Sequence, residues 1–211
     1  MSEASGRFGP FRVSAIGPEP AGATPIEDED LAGLIPDFVA TRADLNQVEY
    51  ENIAKALPWA GAQTRRRGTL ELLDRRFLFS LHKHMFGDVW RWAGTERQRV
   101  TNIGVDPAQI APQLANAMAD ARYWHDNGVF SQDERAARLH FRLVSIHPFP
   151  NGNGRCTRLL SDLYLLSIDA APFTWGAANL EVSSSTREAY IAALVAAPLD
   201  DCASLLTFAR S

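Results

Sequence analysis

At 211 residues, with 46% hydrophobic and 22% charged side chains, the chain is long enough for one domain with its own core and has the make-up of an ordinary globular protein. Its 25 acidic residues outnumber 21 Lys and Arg, for a net charge of −4, which excludes a general basic field; no direct nucleic-acid binding is expected, and any anion site has to be a local cluster of arginines. Cys156 and Cys202 form neither a Cys-x-x-Cys pair nor a disulfide framework, and there is no 18-residue apolar run and no signal-like start in MSEASGRFGPF, so a cytoplasmic chain with no membrane partner is expected.

Residues 1–40 read as an extended N-terminal arm. The first 30 are rich in Gly, Pro, Ala and acids (GPEPAGATPIEDED), bury little, and are expected to stand away from the chemistry. The domain proper is expected over 41–211. From Thr41, RADLNQVEYENIAKAL places Leu45, Val48, Ile53 and Leu57 at roughly helical spacing, which predicts a first helix over 41–57 that Pro58 ends or kinks. After the solvated loop Arg65–Arg67, LELLDRRFLFSLHKHMF puts Leu73, Phe77, Leu81 and Met85 four apart with Gly87 as a stop. His82 and His84 lie two apart and so on different faces, a poor metal pair; they read as ordinary helix residues, as do His125 and His140.

Val100, Thr101 and Ile103, between Gly94 and Gly104, favour extended backbone and predict a small β-hairpin; Trp90, Trp92 and Trp124 read as core. Asp106-Pro107 has the form of an N-cap and first helical residue, opening a helix through Ile110, Leu114, Ala117, Ala121 and Trp124. Ser131 to Glu134 has the spacing of a capping box and starts a helix whose Leu139, Leu143 and Ile146 face a core and which delivers His147 at its end. Pro148 blocks continuation, a Gly-Asn-Gly turn follows, and RCTRLLSDLYLLS resumes helical spacing with Leu159, Leu163 and Leu166. Ser185 to Glu188 is a second capping box, and CASLLTFAR forms a short last helix, so the fold class is all-α with one hairpin.

The segment IHPFPNGNGRCTRLL carries the chemistry. A helix N-terminus attracts anions because its first N–H groups are unpaired and its dipole is positive there, and Gly152, Asn153 and Gly154 let an anion approach the backbone. Arg155 and Arg158, at i and i+3, can grip two phosphates from one side. His147 stands a few residues away, with a reference pKa suited to taking a proton from a hydroxyl, and Phe149 reads as a packing anchor.

These residues resemble the Fic (Fido) motif H-x-F-x-[D/E]-G-N-G-R-x-x-R, matching it at His147, Phe149, Gly152, Asn153, Gly154, Arg155 and Arg158. With MFGDVWRWAG, APFTWG and the closing LLTFARS, the likeness runs to the subgroup called mobile mystery protein B and covers most of the chain from about Thr24 onward. The resemblance implies a Fic-type nucleotidyltransferase that moves AMP from ATP to a Ser, Thr or Tyr hydroxyl of a target protein. It implies His147 as catalytic base, and Gly152, Asn153, Gly154, Arg155 and Arg158 as nucleotide-binding residues. It further implies Mg²⁺ as cofactor, a flap within Glu96–Val105 that aligns the target by strand addition, and a co-encoded helix-turn-helix partner.

At one position the chain departs from the motif: Asn151 stands where relatives carry Asp or Glu, so Asn151 is the metal candidate and its neutral amide lowers the expected affinity for Mg²⁺. Many relatives also carry an inhibitory motif [S/T]-x-x-x-E-[G/N], whose Glu pairs with the second motif arginine. Gln47 to Asn52 resembles it, with Glu51 as the inhibitory residue and Gln47 in place of the Ser or Thr. The alternative function is a catalytically weakened Fic domain that binds nucleotide or a partner as a regulatory module, a reading that Asn151 keeps open.

Overall fold

Among the residues that the computed structural model describes, 24–176, 184–197 and 201–211, every regular element is a helix. The order is α1 (Asp28–Leu31), α2 (Arg42–Arg66), α3 (Thr69–Leu72), α4 (Arg75–Phe86), α5 (Pro107–Asp126), α6 (Gln132–Ile146), α7 (Asn153–Ser167), α8 (Ser184–Ala196) and α9 (Ala203–Arg210). The all-α class expected from the sequence is what forms. No helix among the described residues is long and apolar enough to cross a membrane.

α7 is the hub, packed against α2, α3, α4 and α6, while α5 packs on α6 and α9 joins α6 and α8. Its Leu160, Leu163, Tyr164 and Leu165 are all within 2% of full burial, and each such side chain removed from water contributes about 1.5 to 3 kcal/mol. The face that α7 buries is shifted from the expected one: Leu163 is buried, but Leu166 is 45% exposed. α4 presents three residues of the predicted stripe, Phe77, Leu81 and Met85, buried, while Leu73, also buried, precedes the helix.

Several helix ends follow from local chemistry. Thr41 accepts from the Asp44 N–H while the Asp44 carboxylate accepts from the Thr41 N–H, closing a capping box at the start of α2. Asp106 and Ser131 cap α5 and α6 as predicted. α8 begins at Ser184, so Ser185 lies inside the helix rather than at its cap.

Other expectations give way. Pro58 does not end the first helix, because both Pro58 and Ala54 lie on the exposed face, where water can satisfy the carbonyl that loses its helical partner. The predicted second helix is interrupted at Leu73 and Asp74: Asp74 caps Arg76 at 2.7 Å, and the Leu73 carbonyl accepts from Arg122 Nε of α5 at 2.7 Å.

The predicted β-hairpin flap is absent among the described residues; the single bridge lies elsewhere, between Leu34 and Trp90. The physical reason is Arg97, which is 1% exposed. Its guanidinium donates to the carbonyls of Arg99 (2.7 Å) and Val105, groups that cross-strand amides would otherwise claim. Residues 98–105 therefore wrap around a side chain instead of pairing with each other.

Within the expected extended arm, residues 28–31 form the helical turn α1, and this part is fastened down. Trp92 Nε1 donates to the Asp30 carbonyl (3.1 Å), Ile35 N–H to the Val89 carbonyl (2.9 Å), and Asp30 pairs with Arg99.

Candidate active site

His147 ends α6 in the left-handed conformation (φ 55°, ψ 61°), its N–H still donating to the Leu143 carbonyl. This turn lifts the imidazole off the helix axis and sends the chain into the loop before α7. Nδ1 lies 3.2 Å from the Val144 carbonyl. A carbonyl can only accept, so Nδ1 carries the proton and Nε2 is left as the nitrogen that accepts one. Burial, at 6% exposure, pushes the pKa down to about 4, helped by the charge of Arg97 and opposed by the bond to Val144. The ring is neutral near pH 7.

The loop is held by its own polar groups. The Phe149 N–H donates to Asn153 Oδ1 (2.9 Å), and Asn153 Nδ2 donates to the Phe149 carbonyl (2.8 Å). The Asn153 side chain is thus consumed inside the loop, and only its backbone is left to meet a ligand. Phe149 is fully buried, edge-on to Phe79 and stacked on His82 with centroids 3.8 Å apart. It is the anchor the sequence suggests.

His82, read from the sequence as ordinary, is a second support. Its Nδ1 accepts from the Gly94 N–H (3.0 Å), so Nε2 is the donor that meets the Asn151 carbonyl at 3.0 Å. Full burial pushes its pKa down to about 3, which keeps it neutral. Gly152 follows at φ 76°, with Phe86 ring atoms 2.7 Å from where a Cβ would stand. Only glycine fits there.

α7 begins at Asn153 without a side-chain cap, so its first amides point into the space before the loop. That space is a cavity of about 350 Å³ lined by His147, Gly152, Asn153, Gly154, Arg155 and Arg158, together with Asn151. The structure therefore brings all the expected nucleotide-binding residues and the expected base to one cavity. Arg158 lies over the Tyr190 ring at 5.2 Å, and the Tyr190 hydroxyl meets His140 Nε2 at 2.9 Å. Tyr190 and His140 thus back the second arginine, across a sequence gap that no local pattern bridges.

Glu51 does not reach this cavity. It is exposed, and its Oε1 accepts from Gln47 Nε2 at 2.7 Å on the outer face of α2. The neighbouring Asn52 is buried but serves the turn after α4, accepting from the Asp88 N–H at 3.0 Å. The carboxylate that α2 sends to the motif arginines is Glu49, and its partner is the first, Arg155, at 2.6 Å. Glu49 is 4% exposed, and its other oxygen accepts from Trp90 Nε1 at 2.7 Å.

Asn151 turns its amide inward, Oδ1 accepting from the Gly152 N–H (2.6 Å) and Nδ2 donating to the Thr24 carbonyl (3.4 Å). Thr24 and Ile26 line the same cavity, so the arm does come to the chemistry, contrary to its composition. The Thr24 hydroxyl donates to His147 Nε2 at 2.8 Å.

The sequence model of the Fic/DOC family matches residues 72–165, a span that contains the base, the loop and both arginines. Over that span the chain matches the Fic/DOC family. The Protein adenylyltransferase fic-1 of Caenorhabditis briggsae is 36% identical over 131 residues, 59% of this chain, and the chain spans about a quarter (24%) of that relative's length. Among solved structures, a Fic domain containing signaling protein from Bacteroides thetaiotaomicron superposes with a TM-score of 0.62 at 18% identity, over 76% of this chain and 67% of that one. BepC from Bartonella tribocorum, solved with bound AMPPNP, gives a TM-score of 0.58 at 17% identity, over 81% and 88%. At these identities the structures establish the Fic fold for this chain, and the loop geometry is this chain's own.

Proposed function

We propose that this chain is a Fic-type protein adenylyltransferase that moves AMP from ATP to a hydroxyl side chain of a target protein in the cytoplasm, with residues 41–211 as its single domain. The observation that carries the reading is His147: a neutral imidazole with its Nε2 lone pair on a hydroxyl, beside an uncapped helix N-terminus and two arginines. A group so placed takes the proton of an attacking hydroxyl while the amides and guanidinium groups carry the charge of the phosphates. Supporting it are the name of the nematode relative and the nucleotide analogue bound by the Bartonella neighbour.

In this reading the α7 amides at Gly154 and Arg155 take the α- and β-phosphates, and Arg158 meets the γ-phosphate. The target segment lies along residues 96–105, where Val100 is 71% and Ile103 37% exposed. Glu49, not Glu51, restrains the site, because Arg155 cannot serve a phosphate while it is paired with Glu49.

The donor set does not fit a Mg²⁺ ion held by this chain. Asn151 is neutral and its oxygen already accepts from Gly152, Glu49 is engaged by Arg155 and Trp90, and among the described residues no group of three His, Cys, Asp or Glu side chains could hold a metal ion. Mg²⁺ enters as the counter-ion of the ATP substrate. The same neutral position supports the second reading, a weakened Fic domain that binds nucleotide or a partner such as a helix-turn-helix protein.

One experiment separates the two. Purified protein is incubated with Mg²⁺ and ATP labelled at the α- or the γ-phosphate, alone and with lysate proteins. Transfer from the α- but not the γ-label, lost in His147→Ala by about 10² to 10⁴-fold, is the expected result. ATP binding without transfer from either label would establish the binding module instead.

A further inference from the structure

We infer that Thr24 is an acceptor for the chain's own transfer reaction, a modification site presented to the base by the N-terminal arm; the inference rests on the adenylyltransferase reading of the site. Its foundation is a contact between residues 123 positions apart: the Thr24 hydroxyl donates to His147 Nε2 at 2.8 Å in a spot where Thr24 is only 6% exposed. A hydroxyl handing its proton to the one basic nitrogen of the site occupies the place of an attacking nucleophile.

The contact is built rather than incidental, because the backbone from the Thr24 carbonyl onward is fastened. The Thr24 carbonyl accepts from Asn151 Nδ2 (3.4 Å) and the Pro25 carbonyl from Arg99 Nη2 (3.4 Å). Arg99 also pairs with Asp30, whose carboxylate accepts from the Glu27 N–H (3.1 Å). Further along, Trp92 Nε1 donates to the Asp30 carbonyl and the Arg91 N–H to the Gly33 carbonyl (2.8 Å). The arm thus reaches the base from an anchored platform, and an acceptor held in this way gains the large rate advantage of an intramolecular reaction.

Thr24 lines the same cavity as Gly152, Arg155 and Arg158, so the hydroxyl and the phosphate-facing groups share one space. The step balances as follows. The Thr24 oxygen forms a bond to the α-phosphorus of ATP, the bond from that phosphorus to the bridging oxygen of the β-phosphate breaks, and pyrophosphate leaves with the electron pair. The hydroxyl proton passes to His147 Nε2 and from there to water. The product is a phosphodiester between Thr24 and AMP, with the nucleoside tethered inside the cavity. It excludes a second ATP, so the reaction ends after one turnover per chain.

The test uses the full chain, as wild type and as Glu49→Gln, incubated with Mg²⁺ and ATP and read by intact mass and peptide mapping. The expected result is one adenylyl group per chain on the peptide containing Thr24, with a first-order rate independent of protein concentration. Thr24→Ser should keep the modification, and Thr24→Val and His147→Ala should lose it. Thr24→Val labelled like wild type, a map with the group only elsewhere, or a rate that scales with protein concentration overturns the inference. Labelled lysate proteins with an unmodified Thr24 overturn it while leaving the adenylyltransferase reading intact. No label on any protein, in either background, overturns both.

Discussion

Glu49 Oε2 stands 2.6 Å from Arg155 Nη1, an ion pair that spans 106 residues and joins the inner face of α2 to the first turn of α7. The pair is nearly closed to water, with Glu49 and Arg155 side chains 5% and 18% exposed, so it is neither screened nor easily exchanged. A phosphate that needs Arg155 has to displace Glu49. Glu49→Gln removes the competing charge while keeping an acceptor for Trp90, and should tighten ATP binding by about 10-fold, or roughly 1.4 kcal/mol. Glu51→Gly, on the exposed face, should leave affinity unchanged. Titration calorimetry with a non-hydrolysable ATP analogue checks both; equal affinities for wild type and Glu49→Gln would show that the pair does not restrain the site.

This residue also marks where the sequence stopped being legible. A helix was readable from the spacing of Leu45, Val48, Ile53 and Leu57, but the stripe that α2 buries is Leu45, Glu49, Asn52, Ala56, Ala60 and Gln63. Apolar periodicity passes over polar residues, and here three of the six inward positions, Glu49, Asn52 and Gln63, are polar because each has a dedicated partner. The loop from His147 to Arg158 was legible since its chemistry is local. Thr24 was not, because composition describes what an arm buries on average and is silent about one hydroxyl.

Acid should weaken the fold before the carboxylates titrate. Burial depresses His82 and His140 to about 3 and His147 to about 4, below the unfolded value near 6.5. Groups with depressed folded values contribute stability that is fully present above pH 6.5 and is lost as pH falls towards those values. Asp162, raised to about 6 by burial, works in the opposite sense, losing stability as pH rises through 6, so it offsets part of one histidine. Urea midpoints should fall steadily from pH 6.5 to 4.5, and midpoints constant across that range would contradict the buried neutral imidazoles.

Gly152→Ala tests the loop's shape. A Cβ at φ 76° is strained in itself, and it would meet Phe86 ring atoms at 2.7 Å in a buried layer that cannot move aside freely. Destabilisation of about 2 to 4 kcal/mol is expected from the two effects together. Gly154→Ala makes a useful comparison, since its Cβ would meet only ordinary contacts at 3.5 and 3.6 Å. Denaturant unfolding should separate the two variants clearly; similar losses in both would refute the steric argument.

Asn151→Asp gives the loop a charged oxygen where an amide now bonds Gly152 and Thr24. In the variant, binding of the ATP analogue should become more sensitive to Mg²⁺, with the half-saturating Mg²⁺ concentration lowered. The carboxylate cannot donate to the Thr24 carbonyl, so the arm should loosen, measured as faster amide exchange at residues 24–27. Superimposable Mg²⁺ titrations for the two proteins would mean that residue 151 does not approach the ion.

Arg97 gives the chain a freedom that a paired hairpin would not. One guanidinium holds the carbonyls of Arg99, Val105 and His147, so the contour of residues 98–105 leans most heavily on this side chain. Within it Arg99, which fastens the arm, and Gly104, where a Cβ would stand 2.6 Å from the His147 side chain, are tied to the site, whereas exposed Val100 can vary without touching His147. On the proposed reading a new target surface could arise there, and a change at Arg97 would cost the segment's shape and the support of His147 at once.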